Sequence, residues 1–147
     1  MKNNGKNSEN IFEAYWGRLP TFADVYRFED YADANFKASG RTRKIVAAKP
    51  SDYIITILGR TFYAEVKSIA SGSRFNFSNI KASQWRSATK VSKASGEYFF
   101  FIHFLTSDRW YKVPAQAILR AEKKSLLEKD LLKYYWEPRQ TSTKTKN

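Results

Sequence analysis

Hydrophobic and polar residues recur along this chain with two different periods. Near the start, Ile11, Phe12, Tyr15, Trp16 and Leu19 fall three to four residues apart, which predicts an amphipathic helix over 8–17. Ser8 is placed to cap it and Pro20 to stop it, leaving residues 1–7 as a mobile lead. Residues 21–36 carry both signals. Tyr26 and Phe28 alternate with Arg27 and Glu29 as in a strand, whereas Phe22, Val25 and Phe28 also suit a helix; a short strand near 24–29 is the favoured reading. Two β-rich runs, ending at Leu58 and starting at Thr61, flank Gly59-Arg60 and predict a tight hairpin over 53–69, with Gly59 supplying positive φ.

After the polar link Ser71-Gly72-Ser73, Ser78 or Asn79 is placed to cap a helix over 80–94, and Gly96 to end it. Residues 97–105 are apolar on both faces and predict a central strand. The turn Thr106-Ser107-Asp108-Arg109 leads into a partner strand over 110–113. Pro114 opens a short helix over 115–123, and a further helix is predicted over 126–135, before Pro138. Residues 139–147 are Thr- and Lys-rich, a disordered basic tail. The order implies one α/β domain over 1–138, with a small mixed central sheet flanked by helices.

The hairpin gathers the candidate chemistry. With a two-residue loop at 59 and 60, Leu58 faces Thr61, Ile54 faces Glu65 and Asp52 faces Lys67. Opposite residues share a sheet face, as do residues two apart on a strand, so Asp52, Glu65 and Lys67 project together. Opposite Cβ atoms stand about 5 Å apart and diagonal ones roughly 7 Å. Two carboxylates so placed can share a divalent cation. Mg²⁺ suits oxygen ligands, with Mn²⁺ as its substitute, and the Val66 carbonyl could add a third ligand. Lys67 could orient a metal-activated water and offset charge on a phosphate. The plainer reading makes all three residues solvent-facing hairpin positions joined in weak surface ion pairs.

Charge favours the chemical reading. Twenty-six Lys and Arg against fourteen Asp and Glu give a net charge of +12, which implies a polyanionic partner. Residues 37–49 hold Lys37, Arg41, Arg43, Lys44 and Lys49 around Ser39-Gly40 without an acid, the best candidate for a flexible DNA-contacting loop. Arg86, Lys90 and Lys93 share one face of the 80–94 helix, and Arg74 adds another cation before it. The absence of cysteine removes disulfides, zinc–thiolate centres and thiol catalysis. No apolar run of about 18 residues is present for a transmembrane helix, and Met1 to Asn10 lacks the apolar core of a signal peptide, so a cytoplasmic protein is expected. His103, alone of its kind, sits in an apolar strand and reads as a satisfied core residue.

Pro50-Ser51-Asp52, followed by Glu65-Val66-Lys67, resembles the signature of the PD-(D/E)XK nucleases. Gly5-Lys6 with Glu9 and Glu13 is similar to the acidic N-terminal helix of Holliday-junction resolvases in that superfamily. Arg74-Phe75-Asn76-Phe77, Ile80 and Ser83-Gln84 resemble the segment after the Glu-x-Lys strand in RecU-type resolvases, and 98–105 resembles their hydrophobic strand. The resemblance spans about 5–113 and is weakest between 17 and 50. It implies a restriction-endonuclease-like core and a Mg²⁺-dependent, structure-selective DNA endonuclease acting on four-way junctions. Carried over, Asp52 and Glu65 are metal ligands, Lys67 the catalytic lysine, and Glu9 an extra acid, with Glu13 its rival one turn on. Gln84 helps position the site, and the Ser51 hydroxyl could touch a phosphate. Two symmetric incisions imply a C2 homodimer, for which aromatics in 17–36 or around Phe75-Phe77 are interface candidates. The alternatives are another nuclease of the superfamily, or a nucleic-acid-binding module whose acids are merely structural.

Overall fold

The structure, a computed structural model, describes residues 4–29 and 48–138. Lys37, Arg41, Arg43 and Lys44 of the basic loop, and the tail 139–147, lie outside the described residues.

A six-stranded mixed sheet organises the chain. Helix α1 (Asn4–Gly17) precedes β1 (Ala23–Arg27), and the hairpin follows as β2 (Tyr53–Ile57) and β3 (Arg60–Ile69). Next come β4 (Arg74–Asn76), α2 (Ala82–Lys93), β5 (Tyr98–Phe104), β6 (Arg109–Pro114) and α3 (Ala115–Leu119). The chain closes with β7 (Ser125–Leu127), a 3-10 helix (Glu128–Tyr134) and β8 (Tyr135–Trp136). The sheet order is β1-β2-β3-β5-β6-β8; β4 and β7 form a separate two-stranded ribbon. Among the described residues only β3 and β5 pair in parallel, and the crossover between them carries α2.

Alternation along the strands sends side chains into two cores. Tyr53, Ile55, Phe62, Ala64, Val66, Phe101 and Trp110 face Phe12 and Trp16 of α1. Ile69, Phe100, Ile102, Phe104, Tyr111 and Val113 face the other way, toward Phe75, Ala88, Ile118 and Leu131. Strand β5 lies between them, buried on both faces, as its near-continuous apolar run, interrupted by His103, implies. No helix among the described residues is long and apolar enough to cross a membrane.

Several elements differ from expectation. Helix α1 starts at Asn4, so residues 4–7 are helical rather than a mobile lead. Ser8 is fully buried and caps nothing; its hydroxyl meets His103 Nδ1 at 2.9 Å and Ser68 Oγ at 3.1 Å. His103 also reaches Asp108 at 2.9 Å and stacks on Trp110, so it is the satisfied core histidine expected. Helix α2 starts at Ala82 after a 3-10 turn at Phe77–Asn79, with Lys81 rather than Ser78 or Asn79 at its cap, and α3 ends early at Leu119. The helix expected over 126–135 is absent. Leu126 and Leu127 instead extend β7 against β4, and a 3-10 helix seats Leu131 in the core.

The hairpin register also shifts. Ile57 pairs with Arg60 and Tyr53 with Ala64, so the loop is Leu58-Gly59, not Gly59-Arg60. Both loop residues have positive φ, 52° and 76°, the pattern of a type I′ turn. A leucine in that conformation costs roughly 1–2 kcal/mol, and Leu58 is 78% exposed, so its side chain recovers little by packing. Leu58→Asn is therefore expected to stabilise the protein by about 1 kcal/mol, raising Tm by about 2–4 °C in thermal unfolding. An unchanged or lowered Tm would show that this turn is not the one described.

Candidate active site

Asp52 stands one residue before β2, and continuing the observed register sets it beside Glu65 rather than Lys67. The register differs from expectation by two residues, so the shared face survives. The two carboxylates hold each other through the backbone. Asp52 N–H donates to Glu65 Oε2 at 3.0 Å, and Val66 N–H donates to Asp52 Oδ2 at 2.9 Å. The crossover then brings in Gln84, in the first turn of α2. Its Nε2 donates to Glu65 Oε1 at 2.5 Å, while its Oε1 accepts Lys67 Nζ at 2.7 Å and Lys81 N–H at 2.9 Å. One carboxamide thus caps a helix, holds a carboxylate and orients an ammonium. Lys67 Nζ lies 3.7 Å from Glu65 Oε1, and Lys49 Nζ donates to Asp52 Oδ1 at 3.1 Å.

Burial gives this cluster its electrostatic character. Asp52 and Glu65 are both buried. Burial, and then the charge of Asp52, hold the Glu65 carboxyl well above the usual carboxylate range, against the pull of Lys67. Burial likewise lowers Lys67, with Glu65 and Asp52 opposing the shift. Surface ion pairs do not behave this way. The plain reading of these residues as solvent-facing is overturned.

Helix α1 adds acids from the opposite face. Glu9 Oε2 accepts Arg27 Nη2 at 3.3 Å, and Glu9 is raised by burial and then by Asp52. Glu13 accepts the Tyr53 hydroxyl at 2.6 Å and stands 3.7 Å from Arg27. Of the two rivals, Glu9 is the one on which the Asp52 charge bears, while Glu13 anchors a core tyrosine. Arg27, which joins both, was missed in the sequence. Strand alternation in β1 could have revealed it, since it sets Arg27 opposite to Tyr26 and toward α1.

The expected DNA contacts fare unevenly. Arg86, Lys90 and Lys93 are exposed on α2, as the helical spacing implied. Arg74 is exposed and donates to Ser125 Oγ at 2.7 Å. Lys49 lies at the carboxylates rather than out on a loop. Ser51 is fully buried, and its hydroxyl donates to Tyr53 O at 2.7 Å, so it faces no phosphate. Phe75 is likewise fully buried and offers nothing to a partner subunit.

The donor set fits a hard divalent cation. Two adjacent buried carboxylates retain lone pairs beyond those used by their amide and ammonium donors. A bound cation would offset the burial and the Asp52 charge that now raise Glu65. Among the described residues no group of three or more His, Cys, Asp or Glu side chains is close enough to hold a metal. Asp52 and Glu65 are the two carboxylates here that could hold such an ion.

The family model described as Recombination protein U, RecU, matches residues 31–145, a span that includes Asp52, Glu65, Lys67 and Gln84. The chain belongs to the RecU family. Membership makes it a structure-selective junction resolvase, a DNA endonuclease. Helix α1 and β1, with Glu9 and Arg27, precede the matched span. No curated protein matches this RecU-family chain. Among solved structures it resembles Hjc of Archaeoglobus fulgidus, a Holliday junction resolvase from an archaeal hyperthermophile, with a TM-score of 0.57. The likeness covers 92% of each chain at 16% identity, and it concerns the fold.

Proposed function

We propose that this RecU-family chain, a single nuclease domain over 1–138, cuts four-way DNA junctions in the cytoplasm by Mg²⁺-dependent hydrolysis, with Asp52 and Glu65 as metal ligands. The observation that carries the reading is the carboxylate pair locked through two backbone amides, with Lys67 tied to Gln84 beside it. Mg²⁺, when bound, would supply Lewis-acid charge to the scissile phosphate and make a water more acidic.

The chain's own residues do the rest. Asp52 and Glu65 present oxygens whose positions are set before substrate arrives, because main-chain N–H groups hold both. Lys67 directs its ammonium at the phosphate, where it offsets developing charge in a buried, low-dielectric setting. Gln84 accepts the Lys67 ammonium, and its hold on Glu65 fixes that carboxylate's rotation. Glu9, braced by Arg27, is an additional acid that can hold a water near Asp52. Arg74, Arg86, Lys90 and Lys93 supply phosphate contacts at a distance from the chemistry. Two symmetric incisions call for a C2 homodimer.

The test is cleavage of a four-way junction, a linear duplex and a single strand of matched sequence, with Mg²⁺, Mn²⁺ or EDTA. Junction cutting with either metal and none with EDTA is expected. Binding without cutting under every condition would leave only a DNA-binding module. Equal cutting of the duplex would point to another kind of nuclease in the superfamily.

A further inference from the structure

Beside the carboxylate row lies a stretch of sheet that, among the described residues, no element covers and that the mechanism above does not use. In the β1–β2 register Tyr26 pairs with Ile54, and Ile54 pairs with Tyr63 on β3. One step along, Phe28 N–H donates to Asp52 O at 2.9 Å, so Phe28, Asp52 and Glu65 form the next row. Neighbouring strands stand about 4.8 Å apart, which places Phe28 roughly 10 Å from Glu65 across the sheet. The Tyr26 and Phe28 rings touch edge to face, with centroids 5.4 Å apart. Tyr26 is 53% exposed. Helix α2 packs on β5 and α3, beyond this end of the sheet, and Asp24 and Thr56 on the same face are also exposed.

An aromatic ring held by a second ring, on an open sheet face, beside a phosphodiester-cutting centre, is suited to one kind of contact. Every nucleobase offers a flat π-face, and stacking on it requires no particular sequence. Lys49 and Lys67 border the same corner, and the whole chain carries a net charge of +12, which attracts a polyanionic strand to the protein. We propose that Tyr26, backed by Phe28, is a stacking platform for a DNA base that is unpaired at the branch point, next to the scissile phosphate. The assignment rests on the junction-cutting reading and adds to it a contact that grips the substrate by its base. Tyr26 is then a specificity-determining residue, because a continuous duplex keeps its bases stacked on one another and offers none to the ring.

The test uses the whole protein and a four-way junction carrying 2-aminopurine at successive branch-point positions, in EDTA so that nothing is cut. The unaltered protein and Tyr26→Phe are expected to quench the probe at one position. Tyr26→Ala should lose the quench and bind the junction about 5- to 150-fold more weakly, with duplex binding unchanged. Phe22→Ala, at the far end of β1 where the ring is 89% exposed, should bind as the unaltered protein does. Unchanged quenching and affinity in Tyr26→Ala would overturn the proposal. So would a loss that tracks conversion of dimer to monomer in sedimentation, since the face would then belong to a second copy of the chain. Cutting by the unaltered protein is read separately in Mg²⁺. If it cuts nothing while Tyr26→Ala still loses the quench, the stacking site stands and the nuclease reading falls. If the unaltered protein binds no junction, both fall.

Discussion

Asp52→Asn is expected to reduce junction cleavage by roughly 10²–10³-fold or more, while junction affinity stays within about twofold. The substitution is nearly isosteric. Asn keeps an oxygen for Val66 N–H, so the backbone latch between the strands survives. What it removes is the negative charge of Asp52 from a buried cluster, and with it the attraction for a divalent ion. Burial, and then this same charge, hold Glu65 above its usual range, so its loss relieves the second of these. Thermal stability should therefore hold or rise as cleavage disappears. A purely structural role for Asp52 requires the opposite, lost stability with cleavage retained in whatever remains folded. Single-turnover cleavage at saturating enzyme, read with a melting curve, distinguishes the two. Lys67→Ala should show a comparable loss of rate with binding kept. A variant of either residue that cuts at the full rate would refute the assignment.

Phe12→Ala is expected to destabilise the protein by about 3–5 kcal/mol, lowering Tm by roughly 6–20 °C. The ring is completely buried and meets Trp16, Tyr53, Phe101, Trp110 and Trp136 at centroid distances from 4.7 to 6.5 Å. Aromatic walls on several elements cannot collapse together, so the cavity would persist. The loss also reaches the site, because Phe12 seats the helix that carries Glu9 and Glu13. Denaturant unfolding gives the energy. A cost below about 1 kcal/mol would mean that α1 is not packed as described.

Much of the site was legible because sheet faces obey a period of two. The hairpin was read with its loop one residue late, which moved the pairing by two positions and left Asp52, Glu65 and Lys67 on one side. The apolar pattern cannot separate registers that differ by two, since both bury the same face. Turn chemistry should have separated them, but Leu58 lacks the Asn, Asp or Gly that marks the first position of a type I′ turn. Gln84 was found through resemblance alone; its contact with Glu65 depends on the crossover, which no local pattern encodes. The 126–135 segment failed for a related reason. Leu127, Leu131 and Leu132 mimic helical spacing, yet β4, some fifty residues earlier, claims the first part as a strand. Ser51 could not be placed from type, because its hydroxyl turns inward to the main chain just beyond it.

The parallel pairing of β3 with β5 has a kinetic consequence. Tyr63 meets Tyr98 across the intervening chain, and the closure entropy of that loop must be met before the pairing returns any contact. The carboxylates can approach each other within a local hairpin, but Glu65 gains Gln84, and Lys67 its orientation, only once the crossover has docked. Assembly of the complete centre is thereby tied to one of the slower steps of folding. A growing or half-folded chain holds the acids without the group that aligns them, so the complete cluster arrives only with the finished sheet.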